Sequence, residues 1–555
     1  MMSISSQQKT YIGIITIATS IVLFVTFIFW SVIDFPFQDD VDLIRFVYRL
    51  KTQDLSVLDL IKTFFELDND HFVVVVRLIV LIVYEVLGSL SFTFFVYLNT
   101  FQILVIVYLF FLEFRKLKLN LIYFLPVVLL ILQPQFHDVT TSANAGLYHI
   151  TTSLLTFFAI KYSIKTDSKS VSFTFILMFM AAFTFGSGLF AISSVGLSFL
   201  LQKRYKALIG VIISLLVYFL LYKLFYSPTG HIAEVSTNFY NIFITFFGLF
   251  GAIFTIFDNQ GILFSVVLGI IVFSTYSYFV CKGVFSRLIL SSEKIILLSF
   301  FSYMAAAIFL IALVRSANRI VVSGRFEMFS PFLITCLYIV ILPFLLNYKR
   351  TLVLIFVFAI TFPVLAYFKY TQIVFQKKGL FIADSYNWKS NQMMFSEDPE
   401  FVFLANEFLI PSYHSNIWKI KEPNFTMPLV SNMTKIIPLN ISAYTSHHLP
   451  KDNHFMYQIA GFPFPVGLSK IWYISFENKL TGKKYICPIQ FYKNGKLNFI
   501  KTGNYLVQSG LFEIQTQQMT PGTFDMYLLG DQNFKINKTL EISSAKNSAV
   551  MKEVY

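Results

Sequence analysis

Long apolar runs constrain this chain more than any other feature of its sequence. A helix needs roughly 20 apolar residues to cross the hydrocarbon core of a bilayer, and such runs recur from Tyr11–Ile33 to Thr351–Phe368. They do not alternate apolar and polar positions, as the strands of a membrane-spanning barrel would. Because 56% of the residues are hydrophobic and only 13% are charged, the sequence predicts an all-α, multi-pass membrane protein.

The basic residues predict how the chain crosses the membrane. The formal net charge is +13, and Lys and Arg form five clusters between the apolar runs, from Arg115–Lys118 to Lys349–Arg350. Basic loops stay on the cytoplasmic side, so these clusters predict about eleven transmembrane helices, a cytoplasmic N-terminus and an external C-terminus. This sorting accounts for the net charge without a nucleic-acid partner. The run Tyr11–Ile33 is typical of a retained signal anchor.

The composition changes after Phe368. Short strand-like stretches such as Lys470–Phe476 and Tyr485–Phe491 appear there, separated by turn signals such as Asn494-Gly495. The sequence therefore predicts two domains, a transmembrane catalytic domain over 1–369 and a mostly β external domain over 370–555. In a bacterial inner membrane the second domain would be periplasmic. It contains no recognisable catalytic motif.

An acidic segment follows the first apolar run, because Asp34 to Asp42 holds four carboxylates in nine positions. Carboxylates at the edge of a bilayer are solvated or hold a proton, a cation or a polar substrate. Asp39 and Asp40 are therefore catalytic candidates, and the alternative is that Asp40 or Asp42 caps a helix. Between Asp42 and Leu67, apolar residues recur at three- and four-residue spacing, which predicts short amphipathic helices in the membrane interface.

His71 and Arg77 follow these helices. Arg77 lies inside an apolar run, where a charge costs a few kcal/mol unless it faces protein or water. We expect both side chains to line a cavity below the acidic segment. The alternative for Arg77 is snorkelling to the interface.

The second predicted external loop brings His137, Asp138 and Asn144 close in sequence, and His149 follows in the next helix. A mixture of histidine and aspartate can hold a divalent metal ion, in which case Asp39, Asp138 and His137 would be its ligands. The alternative is a solvated polar loop.

Three arginines, Arg315, Arg319 and Arg325, fall in a late segment predicted to be external. Positive charge is disfavoured on that side, and the guanidinium group suits phosphate through its planar donor fork. We therefore expect these arginines to bind an anionic group. The alternative is that they pair with Glu327 and the acidic segment.

Four features together are typical of one enzyme class: the Asp39-Asp40 pair after the first helix, the interfacial helices, Asp138 and the late Gly324–Glu327 loop. On these features, the chain resembles the GT-C class of polyprenyl-phosphate-sugar glycosyltransferases over roughly 10–370. That class includes protein O-mannosyltransferases and bacterial enzymes that decorate O-antigen. The resemblance implies an inverting transfer with Asp39 as general base, assisted by Asp138, and donor-phosphate contacts from the late arginines. It also implies a glycan, lipid or protein acceptor. The pair is Asp-Asp where many members have Asp-Glu, and a Trp-Trp-Asp signature is missing.

Other functions fit parts of the same pattern. An O-antigen polymerase or ligase also has many helices and external arginines, but it typically carries a large late loop rather than an early acidic pair. A transporter would show ionisable residues near mid-helix and two related halves. A non-catalytic membrane anchor for the C-terminal domain would not need Asp39.

Overall fold

The computed structural model describes residues 5–68, 70–226, 235–285, 290–317, 319–322, 324–421, 435–444, 454–545 and 548–553. Its chain divides into two compact units, each built from three segments. Unit 1 consists of Met1–Val32, Phe46–Gly88 and Phe92–Thr371, and unit 2 consists of Ile33–Arg45, Ser89–Ser91 and Gln372–Tyr555. The main division between the units falls between Thr371 and Gln372. The acidic segment belongs to unit 2.

Unit 1 is helical, and two of its helices, α2 and α16, continue into residues of unit 2. The α-helices are α1 (Ser6–Ser31), α2 (Asp40–Thr52), α3 (Val57–Phe65), α4 (Val74–Leu87), α5 (Phe92–Arg115), α6 (Leu125–Ile131), α7 (His137–Thr140), α8 (Ala143–Ser163), α9 (Ser168–Ala182), α10 (Leu189–Leu201), α11 (Tyr205–Phe225), α12 (Phe239–Phe250), α13 (Asn259–Phe285), α14 (Ser292–Arg315), α15 (Phe329–Leu345) and α16 (Lys349–Asn391). Short 3-10 helices lie at Leu121–Phe124, Pro134–Phe136, Gly186–Gly188, Ala252–Phe257 and Gly324–Met328.

Within the described residues, eight helical stretches are long and apolar enough to cross a membrane. They are Gln7–Ser31, Phe92–Arg115, Leu121–Thr140, Tyr205–Phe225, Gln260–Phe285, Ser292–Arg315, Gly324–Leu345 and Lys349–Asn391. Three shorter apolar helices, Ser168–Ala182, Gly186–Leu201 and Phe239–Phe250, accompany them. The chain is therefore a membrane-embedded, multi-pass protein.

The amphipathic helices predicted between Asp42 and Leu67 are present as α2 and α3. Helix α3 begins after Ser56, whose hydroxyl accepts a hydrogen bond from the Asp59 amide at 3.2 Å. This cap satisfies one of the backbone N–H groups that the first turn of a helix leaves without a partner.

Close backbone contacts hold α12 and α13 together in unit 1. A Cβ atom on Gly269 would lie 1.8 Å from the Phe247 carbonyl oxygen, and one on Gly251 would lie 2.1 Å from the Ser265 carbonyl oxygen. Glycine at these positions lets the two helices approach more closely than any side chain would allow, as is common where membrane helices pack.

In its described residues, unit 2 contains two sheets and two further α-helices besides the start of α2 and the end of α16. The helices are α17 (Pro399–His414) and α18 (Lys496–Thr502). The strands are β1 (Ile436–Ile437), β2 (Asn440–Ala443), β3 (His454–Ala460), β4 (Tyr473–Asn478), β5 (Lys484–Pro488), β6 (Gln490–Lys493), β7 (Leu506–Gln515), β8 (Gly522–Leu529), β9 (Phe534–Ile542) and β10 (Ala549–Glu553).

The larger sheet has the order β1-β9-β8-β4-β5, with β10 also paired to β9, and the smaller sheet has the order β2-β3-β7-β6. The end of α16 covers the outer edge of β5. The buried Asn387 donates from Nδ2 to the Ile486 carbonyl at 2.8 Å and accepts the Ile486 amide at 2.9 Å. An edge strand has unpaired backbone groups that can pair with other chains, and Asn387 satisfies two of them.

We predict that Gly269→Ala destabilises the protein, because the new methyl group would overlap the Phe247 carbonyl and force α12 away from α13. Overpacking of this kind typically costs about 1–3 kcal/mol, so the thermal unfolding temperature in detergent should fall. Gly196→Ala is the matched control, since its Cβ would meet only a Val211 methyl group at 3.3 Å. Equal unfolding temperatures for the two variants would contradict the prediction.

Candidate functional site

The two carboxylates of the predicted catalytic pair occupy different environments in unit 2. Asp40 is 3% exposed and its Oδ2 accepts the Phe37 amide at 3.1 Å. It is also the first residue of α2, so it holds the turn that leads into the helix. Gln38, within this turn, has a φ of 47°, which is uncommon for a residue other than glycine. Asp39 is only half-buried and is therefore the better candidate for a reacting carboxylate.

Asp34, at the start of the acidic segment, anchors this segment to other residues of unit 2. The Asp34 carboxylate lies 2.8 Å from the Lys421 ammonium group and accepts the Ser91 hydroxyl at 3.1 Å. The ring of the next residue, Phe35, packs edge-on against Trp418 at 6.2 Å between centroids. These contacts explain why the acidic segment belongs to the same unit as residues that come hundreds of positions later in the chain.

Glu397 is a functional candidate that the sequence did not indicate. Its Oε1 accepts the Gln38 amide at 3.3 Å, although the two residues are 359 positions apart. Burial raises the pKa of Glu397 to about 8, and the nearby charges of Asp384, Asp39 and Asp40 add to the effect, while the Gln38 N–H opposes it. A carboxyl group that titrates near neutral pH can donate or accept a proton under physiological conditions.

A second polar cluster lies in unit 1, around the ring of Phe185. Tyr148 stacks on this ring at 4.7 Å between centroids, and the rings of His71 and His149 meet it edge-on at 5.1 and 4.9 Å. The Tyr148 hydroxyl donates to the buried Asp68 carboxylate. The cluster therefore joins the start of α8 to the loop before α4 and to the segment before α10.

His71 is held in this cluster by its backbone. The amides and carbonyls of Asp68 and His71 bond to each other at 2.8 and 2.9 Å, which closes a tight turn. A Cβ on Gly186 would lie 2.5 Å from the His71 Nδ1, so glycine is needed where the ring approaches the backbone. Burial lowers the pKa of His71. A backbone hydrogen bond with Asp70 and the charges of Asp68 and Asp70 oppose this effect, and the charge of Arg315 adds to it.

His149 lacks a hydrogen bond that burial normally requires. It is 3% exposed, and its Nδ1 has no hydrogen-bond partner among the described residues. Arg325 and His71 are its electrostatic neighbours. A buried polar atom without a partner marks a place where a water molecule or a ligand completes the hydrogen bonding.

Asp138 lies beside the late arginine loop of unit 1. Its Oδ1 is 3.4 Å from the His137 Nε2, and a Cβ on Gly324 would lie 3.3 Å from its Oδ2. The neighbouring Glu327 is 4% exposed and accepts the Thr255 hydroxyl at 2.6 Å. The structure thus brings the second-loop residues and the Gly324–Met328 helix together.

Other predicted site residues have structural roles or lie apart from these contacts. The Arg77 guanidinium donates to the Phe64 carbonyl at 2.9 Å and to the Glu66 carbonyl, and it lies over the Phe46 ring. Arg77 therefore ties α4 to the end of α3, and its role in substrate binding stays a prediction. Asn144 is 1% exposed within the first turn of α8, whereas Arg319 is exposed.

The metal alternative gains no support from the residues that the structure describes. Among them, no three His, Cys, Asp or Glu side chains form a group that could hold a metal ion.

Comparisons with protein-family models, curated proteins and solved structures found no match to this chain.

We predict that His71 makes the protein less stable as the pH falls. The folded-state pKa of His71 is below the unfolded value of about 6.5, so below that pH the unfolded chain binds a proton that the folded chain does not. The unfolding temperature should decrease between about pH 7 and pH 5, and His71→Asn should reduce this decrease. His414→Asn, which changes an exposed histidine, is the control. A pH dependence that is equal in both variants would refute the prediction.

Proposed function

We propose that this protein is a membrane glycosyltransferase of GT-C-like fold. It moves a sugar from a polyprenyl-phosphate donor to the hydroxyl of a glycan, lipid or protein acceptor on the external face of a bacterial inner membrane. In this proposal the chain makes about eleven crossings, with the five basic clusters on the cytoplasmic side. The N-terminus is cytoplasmic and unit 2 carries the periplasmic domain.

One observation carries the proposal, namely the arrangement of charge at the ends of apolar spans in unit 1. Arg315 is the last residue of the span Ser292–Arg315, and Arg325 is the second residue of Gly324–Leu345. Both are electrostatic neighbours of the histidine cluster, Arg315 of His71 and Arg325 of His149. Arginine at the end of a membrane helix, beside an unpaired buried imidazole nitrogen, suits a phosphate whose lipid tail stays in the bilayer.

The proposed reaction needs one proton acceptor and one stabilised leaving group. The acceptor oxygen forms a bond to the anomeric carbon while the bond from that carbon to the donor phosphate breaks. Asp39 takes the proton of the acceptor hydroxyl as general base, and inversion at the anomeric carbon follows from this single displacement. Arg315 and Arg325 bind the phosphate as its negative charge increases. Asp138 assists by binding hydroxyl groups.

We predict that Asp39→Asn abolishes transfer, since removing a general base typically costs about 10²–10⁴-fold in rate. The measurement is mass spectrometry of the surface glycans of a deletion strain complemented with each variant at equal membrane abundance. Wild type should restore one sugar decoration and Asp39→Asn should not. Asp54→Asn, which changes an exposed aspartate in the loop before α3, should restore it fully.

A binding measurement separates donor recognition from chemistry. In nanodiscs, Arg315→Gln should weaken the binding of undecaprenyl phosphate, whereas Asp39→Asn should leave it unchanged and Arg350→Gln serves as the arginine control. Restoration of the decoration by Asp39→Asn would exclude Asp39 as the base. Shortened glycan chains in the deletion strain, with decoration intact, would favour a polymerase and overturn the proposal.

A further inference from the structure

Unit 2 contains a cavity of about 340 Å³, which is within the range of small-molecule sites. Three carboxylate residues, Glu397, Asp398 and Glu513, line it together with the imidazole of His454 and the amide of Gln490. Neither Lys nor Arg is found among the described residues of its lining. The cavity is therefore richer in negative than in positive side chains.

Two of the three carboxylates already have partners. The His454 Nδ1 lies 2.6 Å from the Glu513 Oε1, so these side chains form a pair across β3 and β7. Asp398 caps α17, with its Oδ1 accepting the Glu400 amide at 3.1 Å. These contacts leave Glu397 as the carboxylate that a ligand would engage.

Glu397 is built into the wall of the cavity. It is 7% exposed, and its Oε1 has one long hydrogen bond, 3.3 Å, from the Gln38 amide. A buried carboxyl group held by one long hydrogen bond can accept a further donor, and a cationic donor would compensate its charge best.

We propose that this cavity binds a protonated primary amine that carries hydroxyl groups, as an unacetylated amino sugar does, with Glu397 as the counter-ion. The amine donates to Glu397, while Ser396 and Gln490 offer groups that bond hydroxyls. Leu380 and Phe395 supply the apolar part of the wall. This site lies within unit 2, and the inference does not depend on the proposed transferase activity.

Proton linkage gives the site a distinctive signature. With its pKa at about 8, Glu397 is mostly protonated in the empty cavity at pH 7, and an ammonium group favours the ionised form. Binding therefore releases a proton, and the affinity decreases as the pH falls below 8. The charged and titratable groups that face Glu397 come from several elements: Asp39, Asp40, Asp384, Asp398, His454 and Glu513.

The test is isothermal titration calorimetry of the full chain in nanodiscs, with glucosamine as the probe. Glucosamine should bind about tenfold more weakly at pH 6 than at pH 7. Below the pKa of Glu397, each further pH unit lowers the ionised fraction of its carboxyl group about tenfold. In buffers of different ionisation enthalpy, binding at pH 7 should release about one proton. N-acetylglucosamine and glucose, which lack the cationic amine, should bind at least tenfold more weakly.

Two variants test whether glucosamine binding depends on Glu397 itself or on the negative charge of unit 2 in general. Glu397→Gln keeps the shape of the side chain and should weaken glucosamine binding at least tenfold while abolishing the proton release. Glu407→Gln changes an exposed glutamate on α17 and should alter neither. Equal affinity for glucosamine and glucose, undetectable glucosamine binding, or unchanged binding by a folded Glu397→Gln variant would each overturn the inference.

Discussion

The negative charge of a carboxylate that is buried away from water must be compensated by cations or hydrogen-bond donors. This requirement applies in both units of the protein. In unit 1, Glu113 on α5 is fully buried and pairs with Lys116, in the turn just after α5, and with Lys161 on α8 at 2.6 Å. In unit 2, the fully buried Asp384 accepts two backbone N–H groups at 2.6 and 3.1 Å. Leaving such a charge without partners costs several kcal/mol, so these contacts decide which segments must lie together.

The degree of compensation separates structural from functional carboxylates. Glu113 has two cations and Asp384 has two amide donors, which suits groups that hold elements in place. Glu397 has one weak donor and several acidic neighbours, an arrangement that costs stability and that proteins retain where a proton or a ligand must be exchanged. His149 in unit 1 is a related case, since its buried Nδ1 lacks a partner among the described residues. The incompletely compensated groups are therefore the sites at which we infer chemistry or binding.

Local patterns in the sequence predict many of the helices and strands, but they do not predict which distant segments contact one another. Apolar runs predict the long helices, three- and four-residue spacing predicts α2 and α3, and the stretches Lys470–Phe476 and Tyr485–Phe491 overlap β4, β5 and β6. Periodicity describes neighbours along one element, whereas the contact between Gln38 and Glu397 spans 359 positions. For this reason the sequence does not indicate Glu397 as a partner of the acidic segment. Arg77 was identified as a buried charge, but its carbonyl partners depend on how α3 meets α4.

The division of unit 2 into separate chain segments has a consequence for biosynthesis. The first segment ends at Arg45 and the last begins at Gln372, so about 330 residues are translated between them. At about 5–20 residues per second, the acidic segment leaves the ribosome roughly 15–65 seconds before its partners exist. During that interval Asp34 cannot meet Lys421, and Gln38 cannot meet Glu397. A nascent chain that stops before Gln372 would therefore lack both of these contacts.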